Sequence, residues 1–246
     1  MSNQAEETSC SSYRVAIHLN NVGVSLLQRK AYRQALDTLK DAVSVIRSTF
    51  AGEDDEHEAR RDLMLARAAR RLASPKSLVC SSQLVTISDD GGVTAINSFP
   101  SVNQRDRTVY AVAIEHFCLD ERDVDVDSAI ILHNFALSHL LLSRVAKVER
   151  YAQQLRLGAQ KVSALAYRTL SAMMVARNER ELEDLVILNP TLFLTAVSVL
   201  HSMVQILVES ELPSRARQSS QRLSMLKAAI KDFEEPSVGS QVAAAA

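Results

Sequence analysis

Tryptophan is absent from this chain, and tight-turn residues are scarce. Six glycines and five prolines are spread over 246 residues, and aromatics make up only 4%. So few turn formers, in a chain dominated by Ala, Leu, Ser, Arg and Val, argue for an all-α protein with few tight turns. Only three cysteines occur, Cys10, Cys80 and Cys118, far apart and odd in number. They define neither a disulfide framework nor a zinc site, and they point to a reducing compartment. Charge of one sign is also lacking: 28 basic against 29 acidic residues give −1. No global field draws the chain to nucleic acid or acidic lipid. The first ten residues are polar and acidic, without the apolar core of a secretory signal. The expectation is an intracellular protein, cytoplasmic or nuclear.

What is present is apolar residue, 47% of the chain, enough for a sizeable core. Its densest pattern runs from Tyr13 to Arg47 and reads as two antiparallel helices around Arg29-Lys30-Ala31. Gly23 falls inside the first helix, where glycine costs about 1 kcal/mol against alanine, so a close approach by the second helix is expected there. Ala35 and Ala42 lie two turns apart on one face of that second helix, with Leu39 between them to fill the groove. The turn itself has no small residue.

A second unit starts near Asp127 or Ser128, either of which can cap a helix over Ala129–Ser143. There Asn134 corresponds to Asn21 and Ala136 to Gly23. The return helix, about Lys147 to Ala176, repeats a small pair, Ala152 and Ala159. Ala136 to Ala152 spans 16 residues against 12 from Gly23 to Ala35, so this hairpin is longer by four, about one helical turn. A third unit begins at Asn189-Pro190, with Leu200 to Gln205 echoing Leu132 to Leu137. Pro213 then breaks the chain before a last amphipathic helix, Arg215–Phe233.

Leu19, Asn21, Val22, Gly23, Leu26, Tyr32, Ala35, Leu39 and Ala42 together resemble the tetratricopeptide repeat (TPR), a helix–turn–helix unit that stacks into a solenoid. The resemblance implies an all-α chain of antiparallel hairpins stacked as a short right-handed superhelix. One domain is expected over 13–233, with hairpins at 13–50, 108–177 and 189–233. Residues 1–12 and 234–246 are expected to be disordered, and 51–107 to be a long, mostly disordered insertion. Within or beside that insertion, Leu84–Ile87 and Thr108–Phe117 alternate and can form a strand pair. Tyr110, Val112 and Ile114 can also lie against the helices as one extended segment. Glu53–Leu72, acidic first and arginine-rich later, reads as a lightly docked helix.

In TPR-like proteins the first helices of successive units line a groove for an extended peptide or a partner helix. Carried onto this sequence, the groove positions are Asn20, Asn21, Val24 and Gln28; then His133, Asn134, Leu137 and Leu141; then His201, Ser202 and Gln205. Asn21 and Asn134 match the family's backbone-gripping asparagine, whose amide donates and accepts at once. An inter-helix hydrogen bond is the alternative role for both. One subclass clamps a terminal carboxylate with basic residues, but Asn20 and Val24 stand at those first-unit positions, so neutral or apolar ligands are favoured.

Chemistry beyond binding finds little foothold. Asp123, Asp125 and Asp127 start like an EF-hand, but Ser128 and Asn134 occupy the positions that need glycine and glutamate. His133 and His139 are six apart and fall on different helix faces, so no metal pair is expected, and no cofactor either. No phosphate loop, nucleophile elbow or kinase signature occurs. Leu185–Val208 holds 24 uncharged residues, yet eight are polar or proline, which fits a buried helix better than a membrane span. The leading expectation is a non-enzymatic protein–protein interaction scaffold taking a peptide or partner helix. One alternative is an RNA-associated repeat using Arg60–Arg71 with Arg215, Arg217, Arg222 and Lys227. Another is an enzyme with a site assembled from distant residues. Partner and oligomeric state are not written in the sequence.

Overall fold

The computed structural model describes residues 2–50, 84–87, 108–114, 124–175 and 190–234. Six helices are defined there: α1 (Ser2–Gln28), α2 (Tyr32–Phe50), α3 (Val124–Val145), α4 (Glu149–Val175), α5 (Pro190–Glu209) and α6 (Pro213–Glu234). Two short strands, β1 (Leu84–Ile87) and β2 (Val109–Val112), pair antiparallel with Leu84 opposite Val112 and Ile87 opposite Val109. The protein is mostly helical, as composition and periodicity predict, with this small sheet added.

Each helix packs on the next one described: α1 on α2, α2 on α3, α3 on α4, α4 on α5 and α5 on α6. The first helices of the hairpins also meet, α1 with α3 and α3 with α5. Gly23 answers to the close approach expected of it. A Cβ built there would lie 2.5 Å from Leu39 Cγ, so α2 can seat its leucine only against a bare backbone. Ala35, Leu39 and Ala42 are all fully buried along that contact.

The first and third hairpins turn in the same way. Lys30 donates its N–H to Leu27 and Ala31 to Leu26; Glu211 donates to Val208 and Leu212 to Leu207. These are paired Schellman closures, and the residue in the left-handed region is Lys30 (φ 59°) in one and Glu211 (φ 59°) in the other. The carbonyls of Ala31 and Leu212 then accept from Ala35 and Ala216, opening the return helices alike. In the second hairpin the corresponding bond runs from Ala152 N–H to the Val148 carbonyl. That is 117 residues on from the Ala35 bond, whereas Asn134 follows Asn21 by 113. The extra four residues lie between the groove and the turn.

Several boundaries differ from expectation. Residues 2–12 continue α1 instead of being disordered: once 13–28 is helical, each added residue gains a bond for one residue fixed, and Gln4, Ala5, Glu6 and Glu7 are good helix formers. Residues 108–114 do not belong to a helical hairpin but are extended and buried, as their β-branched alternation favours. Residues 84–87 within the expected disordered insertion form a strand. Asp127 is no cap; it lies in the first turn of α3, buried, where its carboxylate accepts the Tyr13 hydroxyl and ties α3 to α1. The Glu53–Leu72 helix, the rest of 51–107 and the tail after Glu234 lie outside the described residues.

Two packed clusters make up the core. One gathers Ile17, Ile130, Ile131, Val197 and Leu200 with Val112 and Ile114. The other gathers Val24, Leu27, Leu39, Leu137 and Leu140 with Val109, Ala111 and Ala113. The strand's side chains thus divide by parity between the clusters, as a pleat with period two requires. Helices over Val124–Val145 and Leu192–Glu209 are long and apolar enough to cross a membrane; 72% of each apolar window is buried within the protein.

Candidate functional site: an extended segment in a side-chain ladder

Of the sequence-predicted groove positions, Asn20, Asn21, His133, Asn134, His201 and Gln205 converge on one object, the chain's own segment 108–114. At its C-terminal end Ile114 donates its N–H to Asn21 Oδ1 (2.8 Å), and its carbonyl accepts from Asn21 Nδ2 (2.7 Å). Two residues back, Val112 donates to Asn134 Oδ1 (3.0 Å), and its carbonyl accepts from Asn134 Nδ2 (2.7 Å) and Asn20 Nδ2 (3.3 Å). Two further back, the Tyr110 carbonyl accepts from His133 Nε2 at 2.7 Å. At the start, the Thr108 carbonyl accepts from Gln205 Nε2 at 2.7 Å. Alternate residues of a strand turn their polar groups to the same edge. Residues 108, 110, 112 and 114 therefore face the helices, and 109 and 111 turn theirs toward β1. Side-chain amides and an imidazole stand where a third strand would be.

The amides satisfy one another as well. Asn134 Nδ2 also donates to Asn20 Oδ1 (2.8 Å), and Asn20 Nδ2 to Asn21 Oδ1 (3.2 Å). Asn134 thereby fills both roles open to it, gripping backbone and bridging α3 to α1. Such a network is stable in low dielectric only when every member is paired, because each unpaired buried group costs about 1–3 kcal/mol.

His133 is 1% exposed. Burial pushes its pKa down to about 4, opposed in part by the bond to the Tyr110 carbonyl. At neutral pH it is an uncharged imidazole with the proton on Nε2, since a carbonyl can only accept. His201 presents its ring edge-on to Tyr110, centroids 5.0 Å apart. Val24, Leu137 and Leu141 share the packed cluster of Val109, Ala111 and Ala113. Gln28, the last residue of α1, is half-buried and does not reach the segment's described bonds. Ser202, at the third-unit equivalent of Asn21 and Asn134, is buried with its hydroxyl unpartnered among the described residues.

Sequence reasoning missed Arg144. Its guanidinium binds Glu209 (2.7 Å) and Gln205 Oε1 (3.1 Å), holding the amide whose other end takes the Thr108 carbonyl. No local signal marks it, because the partners lie 61 and 65 residues away. His139 packs apart from His133: its Nδ1 donates to the Phe135 carbonyl and its ring fills the space above Gly158, where burial lowers its pKa. Arg222 lies over the Tyr167 ring at 5.5 Å, and the Arg60–Arg71 cluster lies outside the described residues. Among the described residues no group of three or more His, Cys, Asp or Glu is placed to hold a metal. Comparison with protein-family models, with curated proteins and with solved structures returns no match.

Proposed function

We propose that the chain is an intracellular protein–protein interaction scaffold, built of three TPR-like hairpins whose first helices read the main chain of an extended peptide. One observation carries this reading. Asn21 and Asn134, at equivalent positions of two hairpins, each take both the N–H and the carbonyl of one residue in an extended segment. A contact of that kind reads the main chain of one extended residue and is indifferent to the side chain that residue carries. The paired turns at Lys30 and Glu211 support treating the hairpins as repeats of one unit.

The reading is tested with a full-length variant in which residues 108–114 are replaced by a Gly/Ser stretch of equal length, panned against a random peptide library. Enriched peptides that lose binding when Asn21→Ala and Asn134→Ala are added, with helical circular dichroism unchanged, support it. A helical variant that enriches nothing refutes it.

A further inference from the structure

The segment in the groove records how the groove reads. Asn21 meets residue 114, Asn134 meets residue 112, and the third hairpin meets residues 110 and 108 through His201 and Gln205. Neighbouring hairpins overlap, since Asn20 of the first also holds the Val112 carbonyl and His133 of the second the Tyr110 carbonyl, and the two equivalent asparagines stand one dipeptide apart. The segment runs from the third hairpin to the first, opposite to the order of the hairpins in the chain. Between the gripped residues lie Ala111 (fully buried) and Ala113 (8% exposed), in the cluster with Val24, Leu137 and Ile206. Only small side chains fit there without displacing helix from helix.

The hydrogen bonds described above between groove side chains and this segment end on its main chain. Its remaining strand pairing is a four-residue, two-stranded ladder, an arrangement marginal on its own. Another chain of the same shape would satisfy the groove equally well. Resting on the scaffold reading above, we propose that 108–114 is a resident occupant that a partner displaces. The partner is an extended protein segment running from the third hairpin to the first, apolar at the residues corresponding to 110, 112 and 114 and small at those corresponding to 111 and 113.

The probe is a fluorescein-labelled nonapeptide with the sequence of residues 107–115, Arg-Thr-Val-Tyr-Ala-Val-Ala-Ile-Glu. It is titrated into the full chain and into full-length Val112→Pro, which removes the N–H that Asn134 accepts. The peptide is expected to bind the variant about tenfold or more tighter than the unaltered chain, because the resident strand taxes affinity by the fraction of time it is seated. A nonapeptide with leucine at both alanines is expected to bind about tenfold or more weaker. A helical variant that binds neither peptide, or both alike, overturns the proposal.

Should Val112→Pro fail to fold, hydrogen exchange of the unaltered chain decides. The Val112 and Ile114 amides are expected to exchange faster than the interior of α3, through an opening of the segment alone. Exchange of both only with global unfolding overturns the proposal. Library peptides that bind the opened groove in no dipeptide register also overturn it while leaving the scaffold reading intact; an opened groove that binds no peptide overturns both.

Discussion

The first and third hairpins close with the same turn while the second closes differently, yet the second shares with the first what the third lacks. Asn21 and Asn134 grip the strand with full amides, whereas the third hairpin places the short hydroxyl of Ser202 there and engages the strand through His201 and Gln205 instead. Turn geometry and groove chemistry thus vary independently. A first helix can be lengthened by one helical turn, as α3 is between Asn134 and Val145, without disturbing the register at the strand, because the extra residues lie beyond the gripping ones. What the hairpins hold in common is the placement of their first helices against an extended chain.

Breaking the grip separates the units most strongly. Asn134→Ala leaves the Val112 N–H and Asn20 Oδ1 unpaired, and Asn21→Ala leaves both polar groups of Ile114 unpaired; each is expected to lower stability by about 2–4 kcal/mol in urea unfolding. Ser202→Ala removes a hydroxyl that is already unpartnered among the described residues, and a change within about 0.5 kcal/mol is expected. Equal losses at all three sites would erase the distinction.

Acid tests the second unit next. The pKa of His133 lies at about 4 when folded, against 6.5 when unfolded. The unfolded chain therefore takes up this proton first as pH falls. The stabilising contribution is complete above about pH 6.5 and is lost on the way down to about pH 4, amounting to about 3 kcal/mol. His133→Gln is expected to flatten this part of the stability–pH profile, and an unchanged profile would deny His133 its role.

Gentler substitutions sharpen the comparison of turns and packing. Lys30→Gly and Glu211→Gly relieve a left-handed residue in the two matching turns, and a gain of about 1 kcal/mol in each is expected from thermal melts. Gly23→Ala pushes a methyl onto Leu39, and overpacking outweighs helix propensity by about 1 kcal/mol. The smallest effect is expected at Gly158→Ala. There the new methyl meets the edge of the His139 ring, 2.8 Å away, and the ring can yield while the helix gains propensity.

Much of this frame is legible in the sequence, for stated physical reasons. Gly23 and Leu39 announce their contact because a glycine inside a helix needs a cause, and the four-residue lengthening is plain from the spacing of Ala136 and Ala152. The strand is legible only in part. Alternation from Thr108 to Ile114 marks an extended segment, but nothing local says that Asn21, 93 residues earlier, holds its end. Resemblance to a repeat points to the groove residues but carries no information about an occupant supplied by the same chain. Arg144 is invisible for the same reason: a pairing across 65 residues leaves no spacing to find.

The amide ladder has one more consequence. Val-Tyr-Ala-Val-Ala-Ile is uncharged, rich in β-branched residues and free of proline and glycine, the composition of a segment that templates cross-β assembly. In the fold, one edge is closed by β1 and the other by Asn20, Asn21, Asn134, His133 and Gln205, so neither edge is open to a further copy. Finishing an edge with side chains lets a mainly helical protein harbour such a stretch without offering it to its neighbours. Whenever the segment opens, that composition is bared, so the open form is the one expected to self-associate.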